Sequence, residues 1–214
     1  MTTVTKAEGQ AQSSTKDRQV TITVSPVLQW NSVNPPNITT SSIGFAVTSS
    51  DPAGTATVNP TTGSIDISSM PGSTEYDENI DITLLLDTST MLDANGNPLT
   101  GADTPRWAKS GEGTVYTDSK GKEQHSGYGW FCEITNWGPP IEYRNLPPID
   151  IDKMKFKRKS DSELLIDDDS PDGSPPYAFK FAFVLPGSNN CYYISIDPVL
   201  SRKGVLNANF MLKD

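Results

Sequence analysis

The feature that most constrains this chain is an alternation of apolar and polar residues with period two. From Gln19 the even positions run Val20, Ile22, Val24, Pro26, Leu28 and Trp30, while most odd ones are polar (Gln19, Thr21, Thr23, Ser25, Gln29). Successive side chains of a strand point to opposite faces, so this pattern buries one face and wets the other. Pro26 has no N–H to give to a ladder, which predicts an edge position or a break midway.

The pattern recurs along the chain. Ile43, Phe45 and Val47 line one face of a second strand. Ala56 and Val58 lead through Asn-Pro-Thr-Thr-Gly-Ser into Ile65 and Ile67, a predicted hairpin. Ile80, Ile82, Leu84 and Leu86 make the strongest run; Leu85 breaks its alternation and predicts a central strand covered on both faces. Further on, Met154 and Phe156 alternate with Lys153, Lys155 and Lys157, and Tyr177, Phe179, Phe181, Phe183 and Leu185 with Ala178, Lys180, Ala182 and Val184. Tyr192, Ile194 and Ile196, then Leu206, Ala208, Phe210 and Leu212, close the series.

No stretch carries a helical period, and 17 prolines and 16 glycines in 214 residues interrupt too often for long helices. About nine or ten short strands joined by turns predict an all-β fold, an antiparallel β-sandwich of Ig-like or jelly-roll-like kind, with a β-barrel as the alternative. No internal repeat suggests a propeller or solenoid. Residues 1–18 are polar and aperiodic and predict a flexible N-terminal arm; 19–214 are expected to form one domain with a loop excursion near 88–113.

A formal net charge of −9 and a pI near 4.6 repel a phosphate backbone, so nucleic-acid binding is not expected. No segment approaches the roughly 18 apolar residues of a membrane span, and the N-terminus has no apolar signal core. A soluble chain without signal peptide is expected, cytoplasmic if full length.

Aromatic residues concentrate in Ser-Gly-Tyr-Gly-Trp-Phe-Cys-Glu-Ile-Thr-Asn-Trp-Gly-Pro-Pro, residues 126–140. Alternation puts Tyr128, Trp130, Cys132 and Ile134 on one face and Gly129, Phe131, Glu133 and Thr135 on the other. The first face is the more apolar, which makes Trp130 a core anchor. Trp137 precedes Gly138 and two prolines, which should end the strand and leave its ring on a loop. With Trp107, Tyr143 and the amide of Asn136 it forms the candidate binding set, since stacking rings beside planar polar groups suit sugars or protein partners. By the same parity Cys132 faces inward and Cys191 outward, so each is expected as a lone thiol.

Acidic loops raise the question of calcium. Asp168, Ser170, Asp172 and Gly173 match the first half of a calcium loop, but its twelfth position is Phe179, where a bidentate carboxylate is needed. Asp93, Asn95 and Asn97 are followed by Pro98 where that motif requires glycine. Both stretches are read as turns, with Asp93, Asp168 and Asp172 as weak calcium candidates and no other cofactor implied.

Residues 153–173 carry a basic run and then an acidic one, which a turn at Ser160-Asp161 would set face to face. Alternate lysines there would discourage edge-to-edge pairing.

Catalytic signatures are not found: the single His125 lies in a polar turn, and no nucleophile elbow, zinc-protease or phosphate-loop motif occurs. Two carboxylates could still act as a glycosidase-like pair, but the sequence prefers none of such candidates as Glu75, Glu133 or Glu142. The run Tyr-Tyr-Ile-Ser-Ile-Asp-Pro-Val-Leu resembles the final strand of bacterial inclusion-body β-sandwich proteins over that strand alone, and no function is carried from it.

The reading is a non-enzymatic β-sandwich of bacterial or phage type that works by contact with a protein partner or like subunits. A lectin-like glycan binder is the alternative, and a β-sandwich hydrolase the third.

Overall fold

The computed structural model describes residues 15–32, 38–70, 73–113, 115–118, 120–136, 142–145, 154–171, 177–186, 190–194 and 199–201. Its first strand, β1 (Lys16–Trp30), realises the opening alternation: Val20, Ile22, Val24, Pro26 and Leu28 are buried and the residues between them are not. The strand starts at Lys16, three residues before the expected boundary. Arg18 is 1% exposed and donates to the carbonyls of Met70 (3.2 Å), Asn79 (3.5 Å) and Glu78.

Around β1 a sheet of five strands forms, with β2 (Ile38–Asp51), β5 (Tyr76–Leu86), β11 (Met154–Arg158) and β12 (Glu163–Asp168) in the order β11-β12-β5-β1-β2. All its pairs are antiparallel except β1 with β5. β1 is therefore central and unbroken, which corrects the expectation drawn from Pro26. Phe45 on β2 donates its N–H to Pro60 (3.1 Å), away from β1. In an antiparallel ladder this makes Val24–Phe45, and hence Pro26–Ile43, pairs that exchange no bonds. The nitrogen of Pro26 thus points toward β5, whose last partner on β1 is Val24. The missing N–H falls where no ladder bond is required.

The second sheet is built on β13 (Tyr177–Leu185). One edge of β13 pairs with β9 (Gly129–Asn136) and β6 (Arg106–Trp107), the other with β14 (Asn190–Ile194) and β15 (Val199–Ser201). β10 (Glu142–Asn145) extends it beyond β9; β4 (Ile65–Asp66) and β3 (Thr57–Val58) extend it beyond β15, with β15 and β4 parallel. A separate hairpin joins β7 (Val115–Thr117) to β8 (Glu123–His125). The result is a β-sandwich with two parallel pairs in otherwise antiparallel sheets, not closed into a barrel. A helical turn spans Gly101–Asp103, and among the described residues no helix is long and apolar enough to cross a membrane.

The core lies between the sheets. Val20, Ile22, Val24, Ile80, Ile82, Leu84, Leu164 and Ile166 face Trp107, Phe131, Phe179, Phe181 and Phe183. Phe156 of β11 joins the two sheets, its ring 4.6 Å from that of Phe131 and 6.3 and 6.5 Å from those of Phe179 and Phe181.

A smaller cluster of Ala108, Trp130, Ala178, Ala182 and Val184 covers the other face of β13. Trp130 is thus buried as expected, but behind the second sheet. Phe131, which alternation placed on the more polar face, fills the main core. Both faces of β9 are covered here, so apolar parity does not identify the inner one.

The 88–113 excursion is anchored at a few positions and exposed at most others. Met91, Trp107 and Ala108 are fully buried, and Leu92 bridges Pro98.

Candidate functional site

The residues singled out from the sequence do not gather in one place. Trp107 is 0% exposed, with its ring 5.8 Å from that of Phe181, so it presents no face to a ligand. A loop position misled the reading: Trp107 is paired with Phe183 at an end of the second sheet. Tyr143 pairs with Ile134 and Asn136 with Glu142, which sets both in the β9–β10 hairpin at a sheet edge. Their side chains, and all of Trp137, lie outside the described residues.

Other candidates resolve locally. Asp93 accepts the N–H groups of Asn95 and Asn97, both at 2.8 Å, which is the work of a turn aspartate; these bonds hold its carboxyl below the ordinary range. Asp168 is buried and accepts from the Ser170 N–H at 3.0 Å, while Asp172 lies outside the described residues. His125 is exposed on β8. Glu75 lies 3.3 Å from the Lys16 ammonium, and the side chains of Glu133 and Glu142 are not among those described.

Cys132 pairs with Ala178 and Cys191 with Val184, on opposite edges of β13 and six residues apart along it. At about 3.4 Å per residue that separation far exceeds the reach of a disulfide. The directions of the two thiols fall outside the described side chains.

What the fold does present is a set of sheet edges treated very differently. Edge strands carry unpaired N–H and C=O groups that template association unless charge, proline, shortness or a covering segment blocks them. β11, at one end of the five-stranded sheet, carries Lys155, Lys157 and Arg158, and Tyr128 donates its hydroxyl to the Phe156 carbonyl at 3.2 Å. β10 is four residues long with Glu142 and Arg144; β3 has two residues.

β2, at the opposite end, is 14 residues long and uncharged from Ile38 to Ser50. The register that turns Phe45 outward also turns the N–H and C=O of Ser41 and Ile43 away from β1. Pro60 takes the Phe45 N–H, and no described residue takes those of Ile43. Among the described residues, the stretch of β2 from Ile38 to Gly44 therefore has no strand paired along its outer edge.

The far end of β2 is pinned instead. Asp51 accepts from the Tyr76 hydroxyl and lies 3.1 Å from the Lys16 ammonium, which sits 4.5 Å from the centre of the Tyr76 ring. The Tyr76 hydrogen bond, with Lys16 second, holds the Asp51 carboxyl below its usual range, and the same contacts push Lys16 above its own.

No family model matches the chain, and no curated protein or solved structure matches it either.

Proposed function

We propose that the chain is a non-enzymatic β-sandwich that works by surface contact, and that its contact surface is the free edge of β2 from Ile38 to Gly44. The occupant is an extended strand of a second copy, added antiparallel so that the five-stranded sheet continues across the interface. One observation carries this: β2 is long and uncharged from Ile38 to Ser50, where the β11 edge of the same sheet carries three cations and a hydroxyl cap. A two-fold contact brings each residue against the same surface on its partner, so an edge without charge meets itself without repulsion and a lysine edge does not. Main-chain bonds supply the affinity in this mode, and no catalytic group is needed.

Ser41→Pro tests it, because the Ser41 N–H points away from β1 and its loss leaves the β1–β2 ladder intact. Ser42→Lys, at an exposed position, repeats the test with charge. Light scattering across concentration is expected to show a mass that rises for the parent chain and stays at the monomer value for both variants. Equal masses for all three at every concentration overturn the proposal.

A further inference from the structure

The outer face of the five-stranded sheet carries one complete row of polar residues. Register aligns Lys155, Asp167, Asp81, Gln19 and Asp51 across β11, β12, β5, β1 and β2. Asp81 and Asp167 are direct neighbours on antiparallel strands, both half-buried. Facing side chains in such pairs stand about 5 Å apart at Cβ, and two carboxylates so placed resist simultaneous ionisation.

Their surroundings break the symmetry. The Lys157 ammonium pairs with Asp167, and that contact lifts Lys157 above its ordinary range. Lys157 acts on Asp81 too, but less than burial and the neighbouring carboxylates do. Asp81 lies half-buried beside Asp167, with Asp17 of β1 adding negative charge, and Asp77 and Asp169 close to Asp17. Lys155 stands beyond Asp167 in the row, and Gln19, its neighbour on β1, is neutral. At the end of the row Asp51 is already engaged by Lys16 and Tyr76. Burial first, then the Asp167 charge, pushes the Asp81 carboxyl above its usual range.

We propose that Asp81 and Asp167 share one proton in the folded protein, the Asp81 carboxyl donating to the Asp167 carboxylate that Lys157 neutralises, so that the junction of β5 and β12 is a pH-sensitive seam. The shared proton is bound more tightly in the folded than in the unfolded chain. Its stabilisation is complete below the ordinary aspartate range near about 4 and is lost as pH rises through the higher value of the folded state. Two coupled carboxyls lose their protons in two macroscopic steps that belong to the pair, and the shared proton is the one lost in the upper step.

Carbon-13 titration of the side-chain carboxyls in the full chain tests this without a substitution. The Asp81 carbon is expected to titrate above the ordinary carboxylate range, with the Asp167 carbon responding in that same upper step. Two independent steps within or below that range overturn the proposal. Urea unfolding then reads its consequence: the parent midpoint falls as pH rises above the ordinary aspartate value of about 4, and Asp81→Asn, which keeps an N–H donor toward Asp167, loses that fall. Asp77→Asn removes the same charge from the same strand without touching the pair and is expected to keep it. Parallel profiles for the parent and Asp81→Asn overturn the proposal, as does a fall abolished equally by Asp77→Asn.

Discussion

Gly63 closes the turn between β3 and β4 at a φ of 70°, where Asn59 accepts the Gly63 N–H on its carbonyl at 2.9 Å. A side chain is disfavoured in this region of backbone space, and a Cβ there would stand 2.8 Å from the Phe45 ring. Strain and overpacking act together, so Gly63→Ala is expected to destabilise by about 2 kcal/mol or more. Urea unfolding at fixed pH measures it, and a cost under about 0.5 kcal/mol, the range of an unremarkable surface change, contradicts this account of the turn. The hairpin itself was legible in Asn-Pro-Thr-Thr-Gly-Ser, because Asn59 takes the Thr61 and Thr62 N–H groups on its side chain, as turn asparagines do. That Phe45 lies beneath Gly63 was not legible, since it depends on how β2 packs.

The elements were readable where one face is wet. β1 from Gln19 to Leu28 and β5 from Ile80 to Leu86 show alternation because their outer faces carry mainly Thr, Ser, Asp and Gln, with Val27 and Leu85 the exceptions, and burial follows that pattern. The β11–β12 hairpin was readable for another reason: opposite charges on its arms meet, with Lys155 facing Asp167 and Lys157 paired with it. Reading fails in the second sheet, where β9 and β13 are covered on both sides and apolar residues of either parity are buried. Trp107 fails for the same reason, since two residues of β6 carry no period at all. The free edge of β2 was equally hidden, because the sequence does not say which strands end a sheet.

Phe131 and Trp130 separate the two readings. Alternation makes Phe131 a residue of the more polar face and tolerant of truncation, whereas its ring packs 4.6 Å from that of Phe156 between the sheets. Phe131→Ala is expected to cost about 3 to 5 kcal/mol, and Trp130→Ala, in the smaller cluster, a comparable about 3 kcal/mol. Denaturant unfolding of both variants is the check, and a Phe131→Ala cost below about 1 kcal/mol removes that ring from the core.

At the scale of the whole molecule, the carboxylates fall into two groups whose effects on stability oppose each other. Arg106 grips Glu112 with two bonds of 2.8 Å, the Lys109 N–H adds a third at 2.7 Å, and the Glu112 carboxyl is pulled down to about 2, chiefly by Arg106. Asp87 and Asp118 are lowered by their own turn hydrogen bonds, to Ser89 and to the Lys122 N–H respectively. A lowered carboxyl stabilises the fold above its unfolded value and stops doing so as pH falls through the folded one. Asp17 and Asp81 are raised, mainly by burial, and run the other way, stabilising at acid pH and ceasing to as pH rises. A net charge of −9 at neutral pH adds self-repulsion that acid also relieves.

Maximum stability is therefore expected on the mildly acidic side of neutral, with loss in both directions. Glu112→Gln should lower stability at neutral pH, where the Arg106 ion pair is intact. It should also flatten the fall between about pH 4 and about pH 2, because the proton Glu112 takes up on unfolding is no longer counted. Urea midpoints measured against pH for the parent and the variant decide it. Two curves that stay parallel below about pH 4 would mean that Glu112 has no part in acid unfolding.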